Sequence, residues 1–294
     1  MTKFLRPTNK REEFCIFKKM IRFILLLFSL FCLSFTNQQP GKDKESFVEI
    51  KGKKQYYQSK GVGSPAVIFV SGLGPTMDDF FRIQNKIAKT TKVLCYDRAG
   101  IGKSEPLNNE RNLENISDEL KELLDKVGLN KPCVLVGHSR GGLIVRYFAN
   151  KYPERVCGLI LIDPAIPELR WKKRMLRTEK EKMEFDKYHN SFCTDSTKYS
   201  ATIRSEFSAP DSAFISGKNF PLNIPTTIIA SAKITKEKYS EEDNEIKTEL
   251  LKNYLKTAPQ IKLIFTDKSG HFIHEEEPGL VIDEILLMLK KLTP

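Results

Sequence analysis

The sequence predicts an α/β fold in which a mostly parallel central sheet carries helices on both faces and an inserted helical cap. Short apolar runs such as residues 66–70 are typical of strands that are buried on both faces of a parallel sheet. These runs alternate with amphipathic helical segments, as in βαβ units. The alternation stops at residues 166–222, which are charged and helical in pattern, and then resumes.

We predict that residues 40–164 and 224–294 form the core and that residues 165–223 form the cap. In chain order the patterns indicate an edge hairpin, then alternating strands and helices, and a closing helix. The hairpin is expected at residues 47–57, the strands at 66–70, 92–96, 133–136, 158–162, 225–230 and 261–265, and the helices at 80–89, 112–128, 240–257 and 279–291.

The N-terminal residues 1–39 are predicted to be a signal peptide or a membrane anchor. A basic cluster at 18–22 precedes an apolar run at 23–35, which matches a signal-peptide core better than a full membrane span. A start at Met20 would give a signal of ordinary layout, and the alternatives of a cleaved signal and an uncleaved anchor both stay open. We expect an exported or membrane-anchored protein, with membrane contact through residues 21–35 if the segment is retained.

The net charge of +11 does not indicate a nucleic-acid partner. Residues 1–22 hold seven Lys or Arg and two Glu, so that segment supplies +5 of the total. The rest is mildly basic and shows no basic stripe interleaved with aromatic residues. The six cysteines lack the paired spacing of a zinc or redox motif, and we expect no metal and no cofactor.

The segment Val-Gly-His-Ser-Arg-Gly-Gly at 136–142 carries the main functional signal. It follows an apolar run and precedes an apolar helical pattern, which is the strand–turn–helix context of a nucleophile elbow. Gly137 and Gly141 provide the room that such a sharp turn needs, because neither has a Cβ atom. We therefore predict that Ser139 is a nucleophile. The alternative is a glycine-rich turn with an inert serine.

Two backbone amides are candidates for an oxyanion hole. The loop at 71–76 follows the strand at 66–70, and we choose the N–H of Leu73 as one donor. The second is the N–H of Arg140, directly after the proposed nucleophile. A plain βα turn is the alternative interpretation of the loop.

The turn at 97–104 resembles a phosphate-binding loop only superficially. Residue 98 is Arg where the first glycine of a Walker A motif would stand. We interpret the segment as a structural turn in which Asp97 and Arg98 pair locally.

A serine nucleophile needs a general base, and the chain has four histidines. His138 is expected to point into the sheet or the pocket wall, and His189 lies in the predicted cap. His271 and His274 follow the last buried strand. We predict His271 as the base, because Gly270 gives the backbone freedom to aim it, and interpret His274 as a local partner of the acidic run at 275–277.

The acid that orients the base is predicted to be Asp163. It directly follows a buried strand, whereas the next strand ends near Ala232 with no carboxylate at its tip. Asp243 is the next candidate. An ordinary turn aspartate is the alternative for Asp163.

Together, these segments resemble the α/β-hydrolase fold family, in particular its esterase- and lipase-like group. The resemblance covers about residues 44–164 and 224–294, and it implies Ser139 as nucleophile, His271 as base and the amides of Leu73 and Arg140 as oxyanion donors. It departs at the acid, which most members carry after the strand that here ends near residue 232; some members use the preceding strand, where Asp163 lies. The matching segments are residues 70–74, 96–104, 136–142, 159–164 and 269–271.

The expected function is hydrolysis of a small-molecule ester or similar acyl compound by a Ser-His-Asp triad without a cofactor. Serine rather than aspartate at position 139 argues against epoxide hydrolase or dehalogenase chemistry. Two alternatives remain. One is a non-catalytic protein of this fold that binds a ligand or partner, and the other is a member that cleaves amides or peptides.

Overall fold

A mixed β-sheet lies at the centre of the structure. The computed structural model of the chain describes residues 44–209, 220–221, 223–237 and 239–293. Within these residues the sheet has eight strands in the order β1-β2-β4-β3-β5-β6-β7-β8. The strands are β1 (Lys44–Ile50), β2 (Lys53–Lys60), β3 (Val67–Val70), β4 (Val93–Tyr96), β5 (Cys133–His138), β6 (Val156–Ile162), β7 (Thr226–Ser231) and β8 (Ile261–Thr266).

The sheet is parallel from β4 to β8, with the β1–β2 hairpin added antiparallel at one edge. This arrangement confirms the predicted mostly parallel sheet and its edge hairpin. Because the carboxyl ends of the parallel strands meet at one edge, the loops that follow β3, β5, β6, β7 and β8 gather there.

Helices cover both faces of the sheet, as predicted. Side chains alternate along a strand, so Ile68 and Val70 of β3 pack on one face and Val67 and Phe69 on the other. The helices are α1 (Phe81–Ile87), α2 (Leu113–Lys126), α3 (Arg140–Lys151), α4 (Pro167–Met175), α5 (Glu179–Thr194), α6 (Ala201–Ser208), α7 (Ser240–Thr257), α8 (Ile273–Glu276) and α9 (Pro278–Leu292).

The predicted cap contains α4, α5 and α6, which lie in the chain between β6 and β7. Helix α5 begins with a capping box, in which Thr178 and Glu181 satisfy each other's free backbone N–H groups. Helices α4 and α5 bury none of their described residues, whereas α6 buries Thr202 and Glu206. Helix α6 is therefore the part of the predicted cap that packs against the rest of the structure.

The predicted N-terminal signal or anchor at residues 1–39 lies outside the described residues. Among the helices that the structure describes, none combines the length and the hydropathy needed to cross a bilayer.

The predicted pairing of Asp97 with Arg98 is wrong. Asp97 accepts hydrogen bonds from the backbone N–H groups of Met77 (2.8 Å) and Lys103 (2.9 Å). Arg98 instead forms a buried ion pair with Glu206 of α6, at 2.9 Å. A buried guanidinium is tolerated only when its charge is paired and hydrogen-bonded. Glu206 provides this pairing although it is 108 positions away in the sequence.

Candidate active site

The turn between β5 and α3 holds Ser139 in a strained conformation. Its backbone dihedral angles are φ 52° and ψ −119°, a region that residues with a side chain rarely adopt. A Cβ atom at Gly137 would lie 2.4 Å from the carbonyl oxygen of Gly141, and one at Gly141 would lie 2.0 Å from that of Val70. The two glycines are thus required because the turn packs against the neighbouring backbone.

The surrounding backbone fixes the position of Ser139. Its N–H donates to the carbonyl of Ile162 at 3.0 Å, and its own carbonyl accepts from Gly142 (3.0 Å) and Ala165 (2.9 Å). Helix α3 begins at the next residue, Arg140, so the positive end of the helix lies beside the serine. This environment favours negative charge that develops next to Ser139.

Asp163 and His271 are brought into contact at the same edge of the sheet. His271 Nδ1 lies 2.7 Å from Asp163 Oδ2. Asp163 follows β6 directly, and His271 lies in the loop between β8 and α8. The other candidate acid, Asp243, lies in α7 and forms ion pairs with Lys173 and Arg177.

Two further groups contact the second oxygen of Asp163. The backbone N–H of Ser231 donates to Asp163 Oδ1 at 3.0 Å, and Lys247 Nζ lies 3.3 Å from the same atom. Burial opposes ionisation of this carboxyl, but the hydrogen bond with His271, the charge of Lys247 and the Ser231 N–H lower the pKa of Asp163 below its ordinary value. The carboxylate is therefore charged near neutral pH.

Lys247 is a site residue that the sequence interpretation missed. It belongs to α7, a helix rich in charged residues. Nothing in its local pattern distinguishes it from the other lysines of the helix. Lys247 meets Asp163 only because α7 packs beside the end of β6.

His271, the predicted base, is open to the surface on one side and lies against the elbow on the other. The His271 side chain is 47% exposed. The ring of His138, the residue before the serine, lies against it with 4.7 Å between ring centroids. Because Nδ1 of His271 faces Asp163, Nε2 is the ring nitrogen left for a serine hydroxyl or a substrate.

The loop after β3 lies against the elbow and is held by Arg98. The Arg98 guanidinium donates to the carbonyl oxygens of Ser71 and Gly72, both at 2.7 Å. In a trans peptide the N–H points opposite to the carbonyl, so the Leu73 N–H is turned away from Arg98. A Cβ atom at Gly72 would lie 3.3 Å from Ser139 Cβ. The proposed oxyanion donors, the amides of Leu73 and Arg140, thus belong to segments that adjoin the serine.

A second polar cluster lies beneath the elbow, and none of its three members was predicted as a site residue. Asp79 Oδ2 lies 3.2 Å from His138 Nδ1, and Asp79 Oδ1 lies 3.1 Å from His274 Nε2. The interpretation of His274 as a partner of the acidic run at 275–277 is therefore wrong, because its ring turns inward to Asp79. In the sequence, only its position three residues after His271 connects His274 with the site.

The atoms of this cluster that could ligate a metal lie within 4.8 Å of one another. A bound cation would require the Nε2 lone pair of His274 and so a proton on its Nδ1, which is buried without a hydrogen-bond partner among the described residues. A buried N–H without an acceptor is costly. We therefore interpret the cluster as a hydrogen-bonded network and not as a metal site.

Residues 65–178 match a family model described as the alpha/beta hydrolase fold. The uncharacterized hydrolase YraK of Bacillus subtilis is 30% identical over 146 residues, which are 49% of this chain and 53% of YraK. The uncharacterized protein YqjL of the same organism is 25% identical over 226 residues, 76% of this chain and 82% of YqjL. The alignment thus spans about half the length of YraK and most of YqjL.

Among solved structures, a thermophilic esterase from Thermogutta terrifontis superposes with a TM-score of 0.60 and 21% sequence identity. The match covers 85% of this chain and 100% of the esterase. At this identity the likeness shows a common fold.

Proposed function

We propose that this chain, which belongs to the alpha/beta hydrolase fold family, hydrolyses a carboxylic ester or similar acyl compound through Ser139, His271 and Asp163. The observation that carries the proposal is the 2.7 Å contact between His271 and Asp163 beside a strained elbow serine. This combination supplies a nucleophile, a base and an acid in the roles that acyl transfer needs.

In the proposed reaction, His271 Nε2 removes the proton from the Ser139 hydroxyl as its oxygen attacks the substrate carbonyl. Asp163 stabilises the imidazolium that forms and keeps its Nδ1–H directed inward. The amides of Leu73 and Arg140 bind the negatively charged oxygen of the tetrahedral intermediate. His271 then returns the proton to the leaving group, and water releases the acyl group from Ser139 by the same steps.

The test is turnover of p-nitrophenyl acetate, butyrate and laurate by the full chain, beside the matching p-nitroanilides. We expect hydrolysis of at least one ester and a loss of kcat of at least about 10³-fold in Ser139→Ala. Ser208→Ala, which alters an exposed serine of the cap, is the control and should keep full activity.

The alternatives predict different outcomes of the same assay. Faster turnover of the anilides would favour an amide-cleaving enzyme with the same triad. No turnover of any substrate by folded protein would favour the non-catalytic, ligand-binding alternative.

A further inference from the structure

Both ring nitrogens of His138 face oxygen atoms. Nε2 lies 3.0 Å from the backbone carbonyl oxygen of His271, and Nδ1 lies 3.2 Å from Asp79 Oδ2. A carbonyl oxygen can only accept a hydrogen bond, so the contact at Nε2 requires a proton on that nitrogen. A neutral imidazole with Nε2–H has no proton left for Nδ1.

The contact at Nδ1 therefore needs one more proton, which either the ring or the carboxyl of Asp79 can hold. Burial opposes ionisation of this carboxyl, but its hydrogen bonds with His138 and His274 hold the pKa of Asp79 well below the usual range. Burial lowers the pKa of His138 below its ordinary value, and the hydrogen bond with Asp79 opposes that shift only in part. With either placement the proton lies between His138 Nδ1 and Asp79 Oδ2, so a hydrogen bond joins the two side chains.

His274 completes the cluster. Its Nε2–H donates to Asp79 Oδ1, and its buried Nδ1, which has no partner among the described residues, carries no proton. With the shared proton on either His138 or Asp79, the three side chains have zero net charge. Buried polar groups are tolerated when they are hydrogen-bonded to one another, and the three side chains are at most 3% exposed.

We propose that the buried hydrogen-bonded pair of Asp79 and His138 positions the loop carrying the proposed base. His138 holds the carbonyl oxygen of His271, and Asp79 holds the ring of His274, three residues further on. The loop is thus held by hydrogen bonds at two points, the His271 carbonyl and the His274 ring. Asp79 belongs to the short 3-10 turn Met77–Phe80, which follows the loop at 71–76, and His138 to the end of β5. The pair therefore also links the loop carrying His271 to that turn and to the elbow.

The kinetic consequence of this pair rests on the proposed function of His271, whereas the hydrogen bond from His138 Nε2 to the His271 carbonyl does not. The charged or titratable groups that act on the pair are His271, whose ring packs on His138, the ring of His274, and Arg98, which interacts electrostatically with Asp79. A failure of esterase activity would leave the protonation result untouched, so the two proposals can fail separately.

The test is a long-range ¹⁵N–¹H NMR titration of the full chain labelled with ¹⁵N-histidine. The four histidines give four ring systems. His189→Gln and His271→Gln assign two of them, and contacts with the Phe80 ring, 5.2 Å from His274 between centroids, assign a third. We expect His138 to carry a hydrogen-bonded proton on Nε2 at neutral pH, as its contact with the His271 carbonyl requires. A His138 protonated on Nδ1 alone at neutral pH, or stoichiometric zinc in the purified protein, would overturn the proposal.

Variants of Asp79 separate positioning from general stability. Asn at position 79 can donate to Nδ1 of a neutral His138 and still accept from His274, so Asp79→Asn should keep the Nε2–H of His138 and hold kcat within about tenfold. Asp79→Ala removes both contacts and should lower kcat by about 10²-fold with little change in KM. Unchanged kcat in Asp79→Ala would refute the positioning role. If Asp79→Ala does not fold, the spectra of the wild type and Asp79→Asn still decide whether His138 donates to the His271 carbonyl.

Discussion

At the scale of single residues, the acid of the proposed triad has more partners than its role requires. Asp163 contacts His271 with one oxygen and both Lys247 and the Ser231 N–H with the other. Lys247 brings a second positive charge, so the carboxylate is partly neutralised before the base becomes protonated. Together with the hydrogen bond from His271, Lys247 and the Ser231 N–H lower the pKa of Asp163 although burial opposes its ionisation.

Replacing Lys247 with methionine should therefore raise the pKa of Asp163, because the charge of Lys247 is one of the causes that lower it. NMR titration of the Asp163 carboxyl measures the change. Lys247→Arg keeps the charge and should retain the wild-type pKa of Asp163. Lys252→Met, an exposed position on the same helix, is the matched control. An unchanged pKa of Asp163 in Lys247→Met would show that Lys247 does not act on the proposed triad.

At the scale of secondary-structure elements, the cap is attached to the core by a buried charge. Glu206 of α6 is fully buried and pairs with Arg98 at 2.9 Å, with Arg111 at 3.9 Å and Arg140 at 4.0 Å further away. The same Arg98 guanidinium donates to the carbonyls of Ser71 and Gly72, in the loop after β3. The position of α6 is thus coupled to the loop that adjoins Ser139.

Glu206→Gln should lower the free energy of unfolding by about 3 to 5 kcal/mol, because it leaves buried arginines without their counter-charge. It should also lower kcat, since Arg98 loses the partner that orients it. Urea unfolding together with ester turnover measures both effects. Glu179→Gln, which changes an exposed glutamate of the cap, should leave both unchanged.

The free energy of unfolding of Glu206→Gln should also depend on pH differently from that of the wild type. Although burial opposes ionisation, the charges of Arg98, Arg140 and Arg111 lower the pKa of Glu206. Its contribution to stability is therefore present above the pKa of an unfolded glutamate, about 4.3, and is lost as the pH falls through the lower folded value. The free energy of unfolding of Glu206→Gln should fall less on acidification than that of the wild type. Parallel pH curves would contradict this assignment.

At the scale of the whole molecule, the fold could be predicted from local pattern because strand and helix periodicities are local. Runs such as residues 66–70 and 158–162 mark strands whatever packs on them. The predicted candidates Ser139, Asp163 and His271 follow strands, so a parallel sheet brings them to one edge.

The polar networks could not be predicted, because each joins residues far apart in sequence. Asp79 and His274 are separated by 195 positions and Asp163 and Lys247 by 84. Arg98 pairs with Glu206 and not with its neighbour Asp97, because the Asp97 carboxylate already accepts hydrogen bonds from backbone N–H groups of two turns. Such a choice of partner depends on distances that only the folded chain defines.

The most direct test of the proposed triad is the rate at which a fluorophosphonate probe labels the full chain. We expect rapid labelling of the wild type, of Ser208→Ala and of Asp243→Asn, none in Ser139→Ala, and labelling slower by about 10³- to 10⁴-fold in Asp163→Asn. Folded wild type that does not react, or Ser139→Ala that still does, would contradict the proposed nucleophile. Full-rate labelling of Asp163→Asn would contradict the proposed acid.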